Sequence, residues 1–450
     1  MEITSVNADI RTQLYQKWYI SWARLLSSLL FIPLLISLSA CGEAVYNQIE
    51  LMPSPEIYRD GAVDPFPDLK KATFEEQTKL FYVTDREPAA IDKAQTFYAN
   101  ARGHLLRAGT ADVKISPPIN DWESIRQITI SAERDKKYIL KVANTDEIGV
   151  LPISLTSFID NPPAKKTIDQ AGRSFAQQID RQLSISKNKD IFIYIHGYNV
   201  DFDYSVLVSK ELQHFLGYQG AFISYSWPST PNRFAYFKDA ETANATRRNL
   251  RELLQFLSDN TKARRIHLIG YSAGSRLAFE VTYQIALMNK FRNGSSPAKS
   301  PRIGNVILVG SDMDRNFFGQ TLTDGILDAV DHMSIYMSKS DSALNISKLF
   351  YGDHRLGQIW VNDSRSSEVE QRLINMKKLS LIDVSEAENS ATGNGHWYFR
   401  SSPWASSDIF VSMLYGLSPS TRGLVRPEGQ SIWMFPTDYP ERLSSALLSN

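Results

Sequence analysis

Five short, nearly continuous apolar runs, at residues 191–195, 221–225, 266–269, 306–309 and 333–337, are separated by stretches long enough to form helices, among them 204–216, 240–257 and 275–288. Strands that are apolar on both faces must be covered on both faces. Helix-length connections are what parallel neighbours require. The pattern predicts an α/β chain built on a mostly parallel, doubly wound sheet. Upstream, strand-like runs at 80–83, 105–115 and 138–142 are joined by turn-rich connections and read as antiparallel N-terminal strands. Between the two regions, Ile168, Ala171, Phe175, Ile179 and Leu183 recur at helical spacing, so 167–183 reads as an amphipathic helix. Residues 379–382 read as the last strand. Beyond about residue 400 the sequence is aromatic and Pro-rich without clear periodicity. At 450 residues, 43% hydrophobic and 22% charged, the chain can bury a large core. Lys+Arg 49 against Asp+Glu 49 gives no net charge, and no basic run offers a footing for nucleic acid.

The run at 266–269 leads into Gly270-Tyr271-Ser272-Ala273-Gly274, and a helical pattern follows at once. Strand, tight turn and helix form the context in which G-x-S-x-G presents a nucleophilic serine. Side chains in place of the glycines would clash with the flanking elements, and Ser272 Oγ lies at the positive end of the following helix. The run at 191–195 ends in His196-Gly197-Tyr198-Asn199, where the backbone turns away from the sheet. The N–H groups of Tyr198 and Ala273 are therefore the candidate oxyanion hole, and His196 is read as structural, hydrogen-bonded beneath its loop.

The base must follow the last strand and reach Ser272. His396 does so, in the glycine-bearing loop Thr392-Gly393-Asn394-Gly395-His396. His332 stands at the wrong end of its strand, and His354 remains a competitor. Two strand ends offer the acid: Asp312 and Asp314 follow 306–309, and Asp341 follows 333–337. Asp341 is preferred because it emerges one strand later. Asp312 is alternatively a helix N-cap before Phe317 and Phe318, and Asp383 and Glu386 are lesser alternatives. Trp227, in Ser226-Trp227-Pro228, either lines an acyl pocket or is buried beneath a turn. Arg276 reads as a structural brace paired with an acid such as Asp239. No Walker loop, GxGxxG or HExxH occurs, so the reading includes no cofactor and no metal.

Residues 1–24 contain Arg11, Lys17 and Arg24. An apolar run of 16 residues from Leu25 to Ala40 follows, broken by Pro33 and ending Leu38-Ser39-Ala40-Cys41-Gly42. It is shorter than the roughly 20 residues of a spanning helix and suits a signal peptide. Its end resembles a bacterial lipobox, with the chain's only cysteine, Cys41, as the lipidation site. An uncleaved anchor helix is the alternative. Both place the rest of the chain outside the cytoplasm, and Gly42 favours the outer membrane. The expected organisation is a signal peptide (1–40), a Pro-containing tether (41–78), the catalytic domain (79–400) and a C-terminal extension packed on it (401–450).

The ordered set Phe81-Tyr82-Val83-Thr84-Asp85-Arg86, Ile195-His196-Gly197-Tyr198-Asn199, Ser226-Trp227-Pro228-Ser229, Gly270-Tyr271-Ser272-Ala273-Gly274-Ser275-Arg276 and Asp341-Ser342-Ala343-Leu344 resembles the bacterial α/β-hydrolase family of the DUF900 type over roughly residues 79–400. The resemblance implies the α/β-hydrolase fold and a Ser-Asp-His triad falling on Ser272, Asp341 and His396. The family more often has histidine before the serine and methionine after it, where this chain has Tyr271 and Ala273. The function expected is hydrolysis of a small-molecule or lipid carboxylic ester by an envelope-anchored enzyme, attached to the membrane through lipidated Cys41. A non-catalytic binding lipoprotein and an acyltransferase are the alternatives.

Overall fold

The structure, a computed structural model, describes residues 47–61, 63–69, 74–90, 97–119, 121–232, 235–291, 300–344, 355–358 and 367–448. These belong to one compact unit. The signal peptide, Cys41 and His354 lie outside the described residues. No helix among the described residues is long and apolar enough to cross a membrane.

Eleven strands form one sheet: β1 (Gln48–Glu50), β2 (Leu80–Pro88), β3 (Tyr98–Ser116), β4 (Ile139–Val150), β5 (Ile191–Ile195), β6 (Ala221–Ser226), β7 (Ile266–Tyr271), β8 (Ile303–Val309), β9 (Val330–Met337), β10 (Leu379–Asp383) and β11 (Ile432–Met434). Their spatial order is β1-β4-β3-β2-β6-β5-β7-β8-β9-β10-β11. From β2 to β11 neighbours run parallel, whereas β1, β4 and β3 form an antiparallel wing beside β2. The fold is that of an α/β hydrolase, as expected.

Alternation along β5 shows why the strands are apolar throughout. Ile191, Ile193 and Ile195 enter the core on one face; Phe192 and Tyr194 enter the core on the other. The first core is covered by α2 (Lys165–Ile185), α4 (Tyr236–Asn260) and α5 (Ala273–Phe291), the second by α3 (Phe202–Phe215) and α8 (Pro403–Tyr415). The remaining helices of at least nine residues are α1 (Trp122–Ile130), α6 (Arg315–Thr323), α7 (Ser367–Asn375) and α9 (Tyr439–Leu448). The buried stripe of α2 is the one the spacing predicts, with Ile168, Ala171, Phe175, Ile179 and Leu183 all buried.

The chain leaves β5 for β6 on one side and then returns to β7 on the other. Loops that depart in opposite directions open a crevice at the strand C-termini, where α/β folds place their sites. The loops after β5 and β7 are therefore neighbours by topology, with Ile195 paired opposite Gly270.

Two boundaries differ from expectation. From residue 47 on, the predicted tether is part of the body: β1 pairs with β4, and Ile49, Leu51, Met52, Ile57, Tyr58 and Phe66 are buried. A three-residue strand and scattered apolar anchors among prolines have no periodicity to read. At the other end, residues beyond 400 do more than cover the domain. They contribute β11 to the sheet, and α8 is almost wholly buried. Arg422 donates to Asp408 through Nε (2.6 Å) and Nη2 (3.0 Å), and Tyr336 of β9 donates to the same carboxylate at 2.7 Å.

Packing of the 47–61 segment predicts that Leu51→Ala and Ile57→Ala will each destabilise the protein by about 2–5 kcal/mol, the range for a buried aliphatic truncation. Urea unfolding at neutral pH measures this; unchanged midpoints would restore the tether.

Candidate active site

Ser272 stands between β7 and α5 at φ 52°, in the left-handed region that non-glycine residues rarely occupy. Its neighbours hold it there. The Ser272 N–H donates to Val309 O at 2.9 Å, and its carbonyl accepts from the Ser275 N–H at 2.9 Å. A Cβ on Gly270 would lie 2.6 Å from Ser275 Cα, and one on Gly274 would strike the carbonyl oxygens of Ile195 and His196. The helix can therefore begin this close to β5 only with glycine at those positions. Ala273 opens α5, so its N–H is among those a helix leaves without an intrahelical acceptor.

Across the crevice, a Cβ on Gly197 would come within 2.9 Å of Ser272 Cβ, which brings the 196–200 loop directly against the serine. His196 is wholly buried. Its Nδ1 is 2.7 Å from Gly197 O, its ring stacks on Trp227 at 5.2 Å, and Trp227 Nε1 donates to His196 O at 2.7 Å. Trp227 is accordingly the buried support of a turn, the second of its two readings. Burial, with the Arg86 cation nearby, lowers the His196 pKa to about 3.

Asp341 follows β9 and is buried; its Oδ1 accepts from the Leu344 N–H at 3.2 Å, and its Oδ2 is 2.7 Å from His396 Nδ1. His396 Nε2 is buried and makes no hydrogen bond. The histidine loop is tied down by Ser342, whose N–H and Oγ both donate to Asn394 O (3.0 and 2.9 Å). Gly395 lies so close to Ser340 O that no side chain fits there. Ser272, His396, Tyr198 and Ser342 line one cleft of about 490 Å³, walled by the aromatic rings of Tyr204, Tyr271 and Trp397. No Asp, Glu, Lys or Arg is among the described residues lining it.

The other candidates fall elsewhere. Asp312 accepts from Arg276 Nη2 at 2.9 Å, and the cap of α6 is Asp314, which accepts from the Phe317 N–H at 2.8 Å. Arg276 therefore braces Asp312 rather than Asp239. His332 lies at the opposite end of the sheet, 2.8 Å from Ser380 Oγ. Asp383 accepts from the Ser385 N–H at 2.7 Å, and Glu386 is exposed.

Two contacts escaped sequence reasoning. Gly310, at φ 53°, has its missing Cβ position 2.9 Å from His396 Nδ1 and 3.3 Å from Asp341 Oδ2, so the pair is seated on its bare backbone. A glycine directly after the apolar 306–309 run was the available signal. Tyr398 OH accepts from the Gly310 N–H at 2.6 Å and donates to Tyr336 O at 2.8 Å, a link between distant segments that leaves no sequence pattern.

A sequence profile described as "Alpha/beta hydrolase of unknown function (DUF900)" matches residues 171–411, more than half of the chain. No curated protein matches the chain in sequence. Similar solved structures include an inhibited esterase B from Lactobacillus rhamnosis (15% identity, 51% of this chain and 77% of that one, TM-score 0.28). Others are the apo form of Thermogutta terrifontis esterase 2 (13%, 52% and 87%, 0.29) and a lipase-esterase related protein from Clostridium acetobutylicum (10%, 52% and 96%, 0.26).

An imidazole that is neutral when buried but titrates near 6.5 when unfolded makes the unfolded chain bind more protons between those values. Stability should therefore fall on acidification from pH 6.5 towards 3, with His196 contributing up to about 1.4 kcal/mol per pH unit. His196→Gln should flatten that slope in urea titrations at pH 7, 6 and 5. Equal slopes in the two proteins would mean that the buried ring titrates normally.

Proposed function

The chain belongs to the DUF900 family of α/β hydrolases, and from that premise we propose that it is a serine hydrolase of carboxylic esters, using Ser272 as nucleophile, His396 as base and Asp341 as the acid that orients it. The observation that supports this reading best is the buried 2.7 Å contact between His396 Nδ1 and Asp341 Oδ2, in a cleft shared with Ser272. With Nδ1 engaged by the carboxylate, Nε2 is the nitrogen left to take the Ser272 proton.

Ser272 Oγ attacks the ester carbonyl, and the developing oxyanion is met by the N–H groups of Tyr198 and Ala273. The His396 imidazolium, stabilised by Asp341, returns its proton to the departing alcohol. Water, activated by the same nitrogen, then releases the acid from the acyl-enzyme. A cleft walled by rings, with no Asp, Glu, Lys or Arg among its described lining residues, suits an uncharged ester flanked by apolar groups. The Arg276–Asp312 pair takes no part in these steps.

Export and anchoring through lipidated Cys41 remain part of the proposal, supported by the small residues before that cysteine at the end of an apolar run. Metabolic labelling with a fatty acid should mark the wild type and not Cys41→Ser. An unlabelled wild type with an intact N-terminus would leave the anchor helix in its place.

The nucleophile is tested with an activated ester and a fluorophosphonate probe. Ser272→Ala should abolish labelling and lower kcat by about 10⁶-fold with an unchanged melting temperature; adding His396→Ala should cost little more, because the two act as a unit. Asp341→Asn should lower kcat by up to about 10⁴-fold, and Asp312→Asn far less. Labelling that persists without Ser272 would end the assignment, and the opposite ranking of the two aspartates would move the acid to the end of β8.

A further inference from the structure

We propose that Arg86 and Asp239 are positioning residues that fix the peptide planes of the 196–200 loop and thereby aim the Tyr198 N–H at the reacting carbonyl. The inference rests on the hydrolase reading and assigns a task to the Thr84-Asp85-Arg86 motif, which the reaction itself does not use.

Arg86 lies on β2, wholly buried. Its guanidinium donates to Ser226 Oγ (3.1 Å), Asn100 Oδ1 (2.9 Å), Ser229 O (3.1 Å) and Val200 O (2.8 Å). Two of these four acceptors, Ser229 O and Val200 O, belong to the loops after β6 and β5, and a third, Ser226, is the last residue of β6. Asp85, Asp201, Asp203 and Asp239 surround it as longer-range counter-charges. Asp239, on α4, is equally buried and accepts from the N–H groups of Thr230 (3.0 Å) and Asn199. Ser229 Oγ accepts from the Val200 N–H (3.1 Å) and donates to Val200 O (2.7 Å).

These bonds act on consecutive peptides. The 197–198 peptide is held at Gly197 O by His196 Nδ1, and because N–H and C=O of a trans peptide point in opposite directions, that contact also sets where the Tyr198 N–H points. The 198–199 peptide is held at the Asn199 N–H by Asp239, and the 199–200 peptide at the Val200 N–H by Ser229. The next is held at Val200 O by Arg86 and Ser229. Asn199 sits at φ 60°, so relaxation to an ordinary backbone conformation would swing the adjacent peptides. The anchors prevent that swing. A preorganised donor acts only if it already faces the developing oxyanion.

Arg86→Lys retains a charge but cannot span four acceptors; Asp239→Asn and Ser229→Ala remove single anchors and guard against a misfolded Arg86 variant. Each full-length protein is titrated for active sites, then assayed with p-nitrophenyl acetate and with a fluorophosphonate probe. Per active site, Arg86→Lys and Asp239→Asn should lower kcat and the phosphonylation rate by about 10–100-fold, with KM within about threefold, because a misaimed donor weakens the transition state more than the bound ester. Ser229→Ala should follow with about 3–10-fold. Rates per active site equal to wild type in all variants would overturn the inference and leave the hydrolase reading intact. A wild type that neither reacts with the probe nor hydrolyses the ester would overturn both.

Discussion

The site depends on how closely α5 can approach β5. Gly274 faces the carbonyl oxygens of Ile195 and His196 with no room for a methyl group, and Gly270 is pressed against Ser275 in the same way. That approach places Ser272 against Gly197 and forces the serine into a left-handed conformation costing about 1–3 kcal/mol. The cost is sustained because both flanking elements are locked into buried core, β7 on both faces of the sheet and α5 on one, so relaxing one residue would require moving a strand and a helix together. Strain at Ser272 and the narrowness of the crevice are one constraint. The sheet imposes it.

A second rule governs the segments without regular structure. Buried loops leave carbonyl groups that no ladder satisfies, and apolar side chains cannot donate to them. Two buried arginines and the half-buried Arg400 do so here. Arg86 serves the loops after β5 and β6; Arg400 donates to Glu50 O while pairing with Glu211; Arg422 donates to Leu417 O while pairing with Asp408. A buried ion pair is weak as a source of net stability. Its value in this chain is directional, because a guanidinium held by one carboxylate still has donors to aim at a backbone that must be immobilised.

The legibility of the sequence follows from the same division. Strands β5 to β10 stand out as nearly continuous apolar runs, because a sheet covered on both faces buries every side chain, and helices α2 to α5 by the stripe an amphipathic helix requires; their positions are readable to within a few residues. Ser272, the 196–199 turn, Asp341 and His396 were readable as candidates because each directly follows a strand or stands in a glycine-bearing loop beyond the last one recognised. What could not be read depends on contacts across long sequence separations. The short strands β1 and β11 have three residues each and no period. Asp312 and Asp314 stand two positions apart, and only the three-dimensional path shows that Asp314 caps α6 while Asp312 meets Arg276. Arg86 was visible as part of a motif, but its four acceptors come from three separate segments.

The C-terminal segment must therefore be counted as part of the hydrolase domain. His396 is carried by a loop anchored to Ser340 and Ser342 on one side, and two residues later Tyr398 bridges Gly310 and Tyr336, the ends of β8 and β9. The same Tyr336 donates to Asp408, which Arg422 holds from the other side. A continuous chain of contacts thus runs from Arg422 through Asp408, Tyr336 and Tyr398 to Gly310, the bare backbone on which the His396–Asp341 pair rests. Ending the domain at residue 400 would cut that chain between Tyr336 and Asp408. It would also strip α8 from β8, exposing Ile307 and Val309, which share its buried core. The histidine would remain in the sequence but lose the surface that orients it, so geometry sets the working boundary beyond Arg422.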